Sequence, residues 1–200
     1  MDDVSPHAGR PRSFDPDAVL DAALTAFHRY GLSAATYDVL ERATGLHRQS
    51  LVYAFGDKRA LFEAALRRYA ERRVEEVVAC LTAPGSPAAG IKGAFALWLE
   101  DARNEARRGC LLVNTAGEVG RRDEALADIV EAATDRLTAA FEEAFSRARA
   151  AGELRTEAAP QALADCAVVL GDGALLHARA SGQAQRAEAS IAAFLTTVVG

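Results

Sequence analysis

Five side chains between residues 47 and 53, His47, Arg48, Gln49, Ser50 and Tyr53, concentrate hydrogen-bond donors in one short stretch. Imidazole, guanidinium, amide and hydroxyl groups set this closely can read base edges and hold phosphates in a DNA major groove. To act together they must project from one side of one element. Residues 47–55 supply it, with Leu51, Val52 and Phe55 forming an inner apolar stripe and the polar set facing outward. Just upstream, residues 36–44 place Tyr37, Leu40 and Ala43 at i, i+3 and i+6 of a second short helix. Gly45 stands between the two, where a residue tolerant of positive φ lets the chain turn sharply. The pattern predicts a helix-turn-helix whose second helix is the reading element.

The rest of the composition must be compatible with that role. Half of the 200 residues are hydrophobic, 26% are charged, and only 6 are proline, which favours helix nearly throughout and an all-α fold. The net charge of −5 suits a nucleic-acid binder poorly until it is divided. Residues 1–73 carry 11 basic and 10 acidic side chains, a net +1, so the surplus of acid lies downstream. Within 42–59, Arg42, Arg48, Lys58 and Arg59 face only Asp57. Local charge governs docking, whereas net charge governs non-specific affinity. The 3 cysteines, Cys80, Cys110 and Cys166, are too few and too scattered for a disulfide framework, and no metal-ligand spacing is present. No apolar run reaches the roughly 18 residues of a membrane span, and no leader pattern opens the chain. The expected compartment is the cytoplasm.

Element signals follow in order. Residues 1–13 read as a polar tail, in which Arg10 and Arg12 either trail in solvent or follow DNA as a basic arm. Asp15 and Pro16 open a first helix, with Val19, Leu20, Ala23, Leu24 and Phe27 on one stripe and Gly31 at its end. Gly56 and Asp57 lead into a fourth helix over 58–81, closed by the Ala83-Pro84-Gly85-Ser86-Pro87 loop. Helices are then expected over 87–107, 109–118, 122–150, 160–181 and 184–199, nine in all. The boundary is placed near residue 60: 1–60 as a DNA-binding unit with a flexible arm, 61–200 as a ligand-binding and dimerisation unit.

With these residues in place, the chain resembles the TetR/AcrR family of bacterial transcriptional regulators. That family's pattern is approximately glycine, Thr-Ser opening the second helix, then Gly-Val-Ser-x-x-Ser-Leu-Tyr-x-x-Phe-x-x-Lys-x-x-Leu. Gly31, Thr36, Gly45, Leu46, Ser50, Leu51, Phe55, Lys58 and Leu61 match at the family spacing. The segment 109–120, GCLLVNTAGEVG, also looks like the regulatory domain of one broad subgroup. Three positions depart. His47 stands where a capping serine is usual, Val52 where a tyrosine is usual, with Tyr53 beside it, and Ala35-Thr36 replaces Thr-Ser.

The resemblance implies a nine-helix TetR-like protein, not an enzyme, that binds double-stranded DNA at a palindromic operator as a homodimer and is released by a small-molecule effector. It implies that Thr36 bonds a phosphate, that Arg48, Gln49 and His47 read bases with Ser50 beside them, that Tyr53 touches backbone or a thymine methyl, and that Lys58 anchors a phosphate. Arginine on guanine and glutamine on adenine each supply about 1–3 kcal/mol of discrimination. The last two helices would form the dimer interface through Ala162, Ala167, Val168, Gly171, Ala174, Leu175, Ala192, Phe194 and Leu195. An effector pocket among helices five to eight would draw on Phe95, Trp98, Leu99, Cys110, Asn114, Glu118, Phe141, Asp172 and His177. Each of these has a plainer reading as well: Phe95, Trp98 and Leu99 as core, Asn114 with Glu118 as a local pair, His177 as a surface histidine.

Rival functions remain at this point. Arg107 and Arg108 precede Cys110 and would favour its thiolate, giving a thiol- or electrophile-responsive repressor, against a buried inert thiol. A small helical enzyme would need a nucleophile elbow, phosphate loop or metal spacing, and the sequence holds none. An architectural DNA binder without effector is the third. No cofactor or metal is expected.

Overall fold

Local capping chemistry sets where the helices begin. The computed structural model describes residues 14–105 and 109–200. Among them lie nine α-helices: α1 (Pro16–Ala34), α2 (Tyr37–Thr44), α3 (Arg48–Phe55), α4 (Lys58–Thr82), α5 (Pro87–Arg103), α6 (Leu111–Val119), α7 (Glu124–Ala150), α8 (Pro160–Ser181) and α9 (Gln185–Val198). Asp15, Thr36, Asp57, Ser86 and Asp123 each accept a backbone N–H of the first turn that follows. Gly45 ends α2 with φ 70°, a left-handed residue that turns the chain into α3. The expected arm residues Arg10 and Arg12 lie outside the described residues.

Helix α4 runs unbroken through the boundary expected near residue 60 and joins the two halves. On the N-terminal side it packs against α1, where Phe27 and Phe62 meet edge to face with centroids 4.9 Å apart. Further along it lies against α5 and α7, while α7, α8 and α9 pack in succession. The main aromatic cluster sits among α5, α7 and α9: Phe95 lies 5.2 Å from Trp98, 5.8 Å from Phe141 and 5.5 Å from Phe194. Such contacts favour tilted and edge-on geometry and exclude water from a large apolar area. No described helix is long and apolar enough to cross a membrane.

Periodicity misplaced several faces. Ala43 is exposed, because three residues advance a helix by only about 300°, so the third member of an i, i+3, i+6 series has drifted well off the stripe. Val52 is 41% exposed. Leu51 and Phe55 occupy the inward positions of α3, and Val52 stands about 100° round from Leu51. Helix α5 stops at Arg103 rather than 107, because extended Asn104 closes it. On α8, Ala167, Val168, Gly171, Ala174 and Leu175 are buried within the subunit, although they were expected at a dimer surface. Ala162 and Ala192 are exposed, and Phe194 and Leu195 are half-buried.

Gly171 is where α8 touches the aromatic cluster. A Cβ added there would lie 2.3 Å from Trp98 Cζ3, in a helix that Ala would otherwise suit. Gly171→Ala is therefore expected to destabilise the fold by about 1–3 kcal/mol through overpacking. A urea titration checks this, with a lowered midpoint at unchanged slope as the expected result.

Candidate nucleic-acid interface

Helices α2 and α3 form a two-helix unit seated on α1 and α4 by Leu40, Leu51 and Leu61, all essentially inaccessible. Its outer surface is the polar face of α3. His47, Arg48 and Gln49 are exposed, Tyr53 is 86% exposed, and Ser50 is half-buried. Arg48, Gln49 and Tyr53 of the set named from the sequence line one open hollow, together with Val52, while His47 and Ser50 do not border it. Thr36 caps α2 through its own Oγ1, which accepts from the Val39 N–H at 3.4 Å. Lys58 begins α4, and its Nζ donates to the Ser33 carbonyl at 3.2 Å.

Two features of this surface come from α2. His47 makes no side-chain capping bond, and Glu41 takes over: its carboxylate accepts the Arg48 N–H from seven residues upstream. The Arg48 guanidinium lies 4.4 Å from the centroid of the Tyr37 ring.

Behind the interface, the end of α1 is gripped by charges from the downstream helices. At Gly31 the backbone leaves the helix with φ 76° and ψ 179°. Glu118 Oε2 accepts from the Leu32 N–H at 2.9 Å and Oε1 from the Ser33 N–H at 2.7 Å. From α8, Arg179 donates to the carbonyls of His28 at 3.0 Å and Arg29 at 3.2 Å. Arg59 at the start of α4 holds Asp123, the cap of α7, through two bonds of 2.6 Å. Arg68 holds Asp21 of α1 through two of 3.0 Å. Bidentate arginine–carboxylate pairs fix orientation as well as distance.

The expected effector residues are distributed differently from the sequence reading. Phe95, Trp98 and Phe141 are core, filled against one another, and Leu99 is half-buried beside them. Glu118 is turned to α1, not to a pocket with Asn114, because the bare N–H groups after Gly31 draw its carboxylate. Asn114 keeps a buried amide nitrogen without a hydrogen-bond partner. His177 is exposed on α8. Asp172 is half-buried, and burial pushes its carboxyl up to about 6. Cys110 is buried with its sulfur 3.5 Å from the Tyr69 hydroxyl, and burial raises the thiol above its ordinary value. That agrees with the buried, inert thiol and opposes the alternative of a reactive thiolate beside Arg107 and Arg108, which lie outside the described residues.

Sequence reasoning missed a polar cavity of about 280 Å³ between α1, α4 and α5, lined by His28, Tyr69, Arg72, Arg73, Glu76 and Asp101. Arg73 is 10% exposed in its side chain, with Asp101 at 2.7 Å and Glu76 at 2.8 Å. Arg73 sits among apolar heptad neighbours of α4, and that break in the stripe was the available signal.

An all-α chain with a helix-turn-helix of this geometry, its second helix polar and exposed, defines a DNA-binding regulator. Comparison with known proteins agrees. Residues 19–65 match the model of the bacterial regulatory proteins of the tetR family, and residues 87–194 match the tetracyclin repressor-like C-terminal domain. The chain is 34% identical over 150 residues to the uncharacterized HTH-type transcriptional regulator YezE of Bacillus subtilis, covering 74% of this chain and 77% of that one. It is 41% identical over 69 residues to the HTH-type transcriptional repressor ComR of Escherichia coli, about a third of each chain (34% and 33%). Among solved structures it is similar to a cysteine mutant of the TetR family regulator CifR complexed with 26-bp double-strand operator DNA, at 26% identity and a TM-score of 0.80 over 94% of this chain and 98% of that one. The chain belongs to the TetR family of transcriptional regulators, and it is not an enzyme.

The Glu118 grip has a definite pH signature. Burial alone would favour its neutral form, but the bonds from Ser33 and Leu32 and the charge of Lys58 outweigh that and hold the carboxyl below its usual value. Its contribution is then complete above the free-glutamate value of about 4.3 and is lost as pH falls through the lower folded value. Amide exchange checks this. Protection of Leu32 and Ser33 should fall on acidification below that range, and Glu118→Ala should lower it about tenfold at pH 7.

Proposed function

We propose that the protein is a repressor that occupies a palindromic operator as a homodimer and is released when a small molecule binds the downstream half. The observation that carries this is the outward face of α3, where Arg48, Gln49 and Tyr53 stand exposed on an element braced from behind by α1 and α4. Residues 1–60 would act as the DNA-binding unit, with Thr36 and Lys58 on flanking phosphates and His47 and Ser50 beside the reading residues. Residues 61–200 would carry the effector and dimer functions. The repressor name of ComR and the operator complex of CifR support the reading for this chain.

One reading helix touches too little DNA for tight specific binding, and a twofold pair reads half-sites about one helical turn, or a small multiple, apart. The surface that supports pairing is on α8, where Val169 is 71% and Leu176 51% exposed and Cys166 is exposed one turn before Val169. Apolar side chains left bare along one stripe mark an association face. The polar cavity at His28, Tyr69 and Arg73 is the best-supported effector position, because α1 on one wall belongs to the DNA-binding unit and α5 on the other does not. An effector there would bias α1 through the Glu118 and Arg179 grips and so alter the separation of the paired α3 helices.

Selection from a random duplex pool tests operator recognition. The wild type should enrich a twofold-symmetric sequence, and Arg48→Ala with Gln49→Ala should bind it at least about tenfold more weakly. Equal binding by that double variant would refute the role of α3. Separately, Val169→Arg with Leu176→Arg should run as a monomer in sedimentation and lose operator binding while keeping its helical circular dichroism.

A further inference from the structure

Arg48 is exposed, and its guanidinium forms no hydrogen bond or ion pair among the described residues, yet its direction is set by another helix. Tyr37 lies on α2, half-buried against the core, and the Arg48 guanidinium carbon lies over its ring, 4.4 Å from the centroid. The backbone beneath is held from the same helix, since Glu41 accepts the Arg48 N–H at the uncapped start of α3. We propose that Tyr37, with Glu41, is the positioning residue for base reading by Arg48. The inference rests on the reading of α3 as the recognition helix.

A guanidinium stacked on an aromatic face loses hydration on that face but keeps the donors at its edge. An arginine that reads a base pair needs that edge free and its plane defined, because recognition is bidentate and planar. An unsupported exposed arginine has to give up several rotamers on meeting DNA. Here the ring restricts them beforehand. Glu41 fixes the other end of the same side chain by tying its backbone to α2, and it also places a carboxylate at the N-terminus of α3. That position would otherwise attract a phosphate. With it occupied by Glu41, the end of α3 is left to the side chain of Arg48, and backbone phosphates are met from α2 and α4 instead.

The test uses a duplex selected from a random pool by the wild-type protein, together with its complete set of single-base-pair variants, all at one salt concentration. Arg48→Ala first identifies the base pair whose discrimination depends on Arg48. Tyr37→Leu should then reduce discrimination at that base pair roughly two- to fivefold. It should leave the other positions and the salt dependence as in wild type. Tyr37→Phe, which keeps the ring, should restore discrimination. Glu41→Gln, which keeps an acceptor, should behave like wild type, and Glu41→Ala should weaken the same position. A Tyr37→Phe variant as damaged as Tyr37→Leu would assign the effect to the hydroxyl on a phosphate and overturn the proposal. So would a uniform loss across every duplex. If Arg48→Ala discriminates like wild type, or the wild type selects no sequence, the recognition-helix reading fails and the positioning role with it. If Arg48→Ala loses discrimination while Tyr37→Leu keeps it, only the positioning role fails.

Discussion

Four backbone groups at the end of α1 are held by two opposite charges from the far half of the chain. The carbonyls of His28 and Arg29 take Arg179, and the N–H groups of Leu32 and Ser33 take Glu118. The signs follow from helix chemistry, because the kink at Gly31 leaves carbonyls unpaired before it and presents the bare N–H groups of a new first turn after it. Gly31 makes this possible by its left-handed φ and by lacking a side chain, since a Cβ there would come within 2.5 Å of Glu118 Oε2. The geometry between the helix-turn-helix and the rest is therefore set by a few directional bonds added to the apolar packing of α1 on α4. Directional bonds have two states, made or broken, and this would suit the joint through which the proposed effector acts.

The same economy appears in the helix-turn-helix. Leu40 and Leu51 anchor it, Gly45 turns it, and His47, Arg48, Gln49 and Tyr53 are left outward. Where α3 lacks a cap of its own, α2 provides one. The two helices are thus joined by polar contacts on the outer side as well as by leucines on the inner side.

Much of this was legible in the sequence. Asp15 with Pro16, Thr36, Gly45 and Asp57 are local signals, decided within a few residues, and each lies at the boundary it announced. The outward placement of Arg48, Gln49 and Tyr53 followed from Leu51 and Phe55 pointing the other way. What was not legible depends on partners distant in sequence. Glu118 and Leu32 are 86 residues apart, so nothing near Glu118 showed that its carboxylate would turn to α1 rather than to Asn114. Cys110 was read from two neighbouring arginines, whereas its environment is set by Tyr69 and by burial. On α8 small residues suggested a surface seam, but they allow α5 and α7 to approach, and the bare stripe lies on the opposite side with Val169 and Leu176.

The contact between Gly171 and Trp98 joins the two sides of α8. The indole is the protein's single tryptophan, it is 4% exposed, and the backbone of α8 rests directly upon it. Any sliding or tilting of that helix must therefore change the polarity and quenching around one chromophore. The molecule carries its own optical gauge on the inner side of α8, behind its bare outer stripe, and ultraviolet emission registers displacement there without an added label.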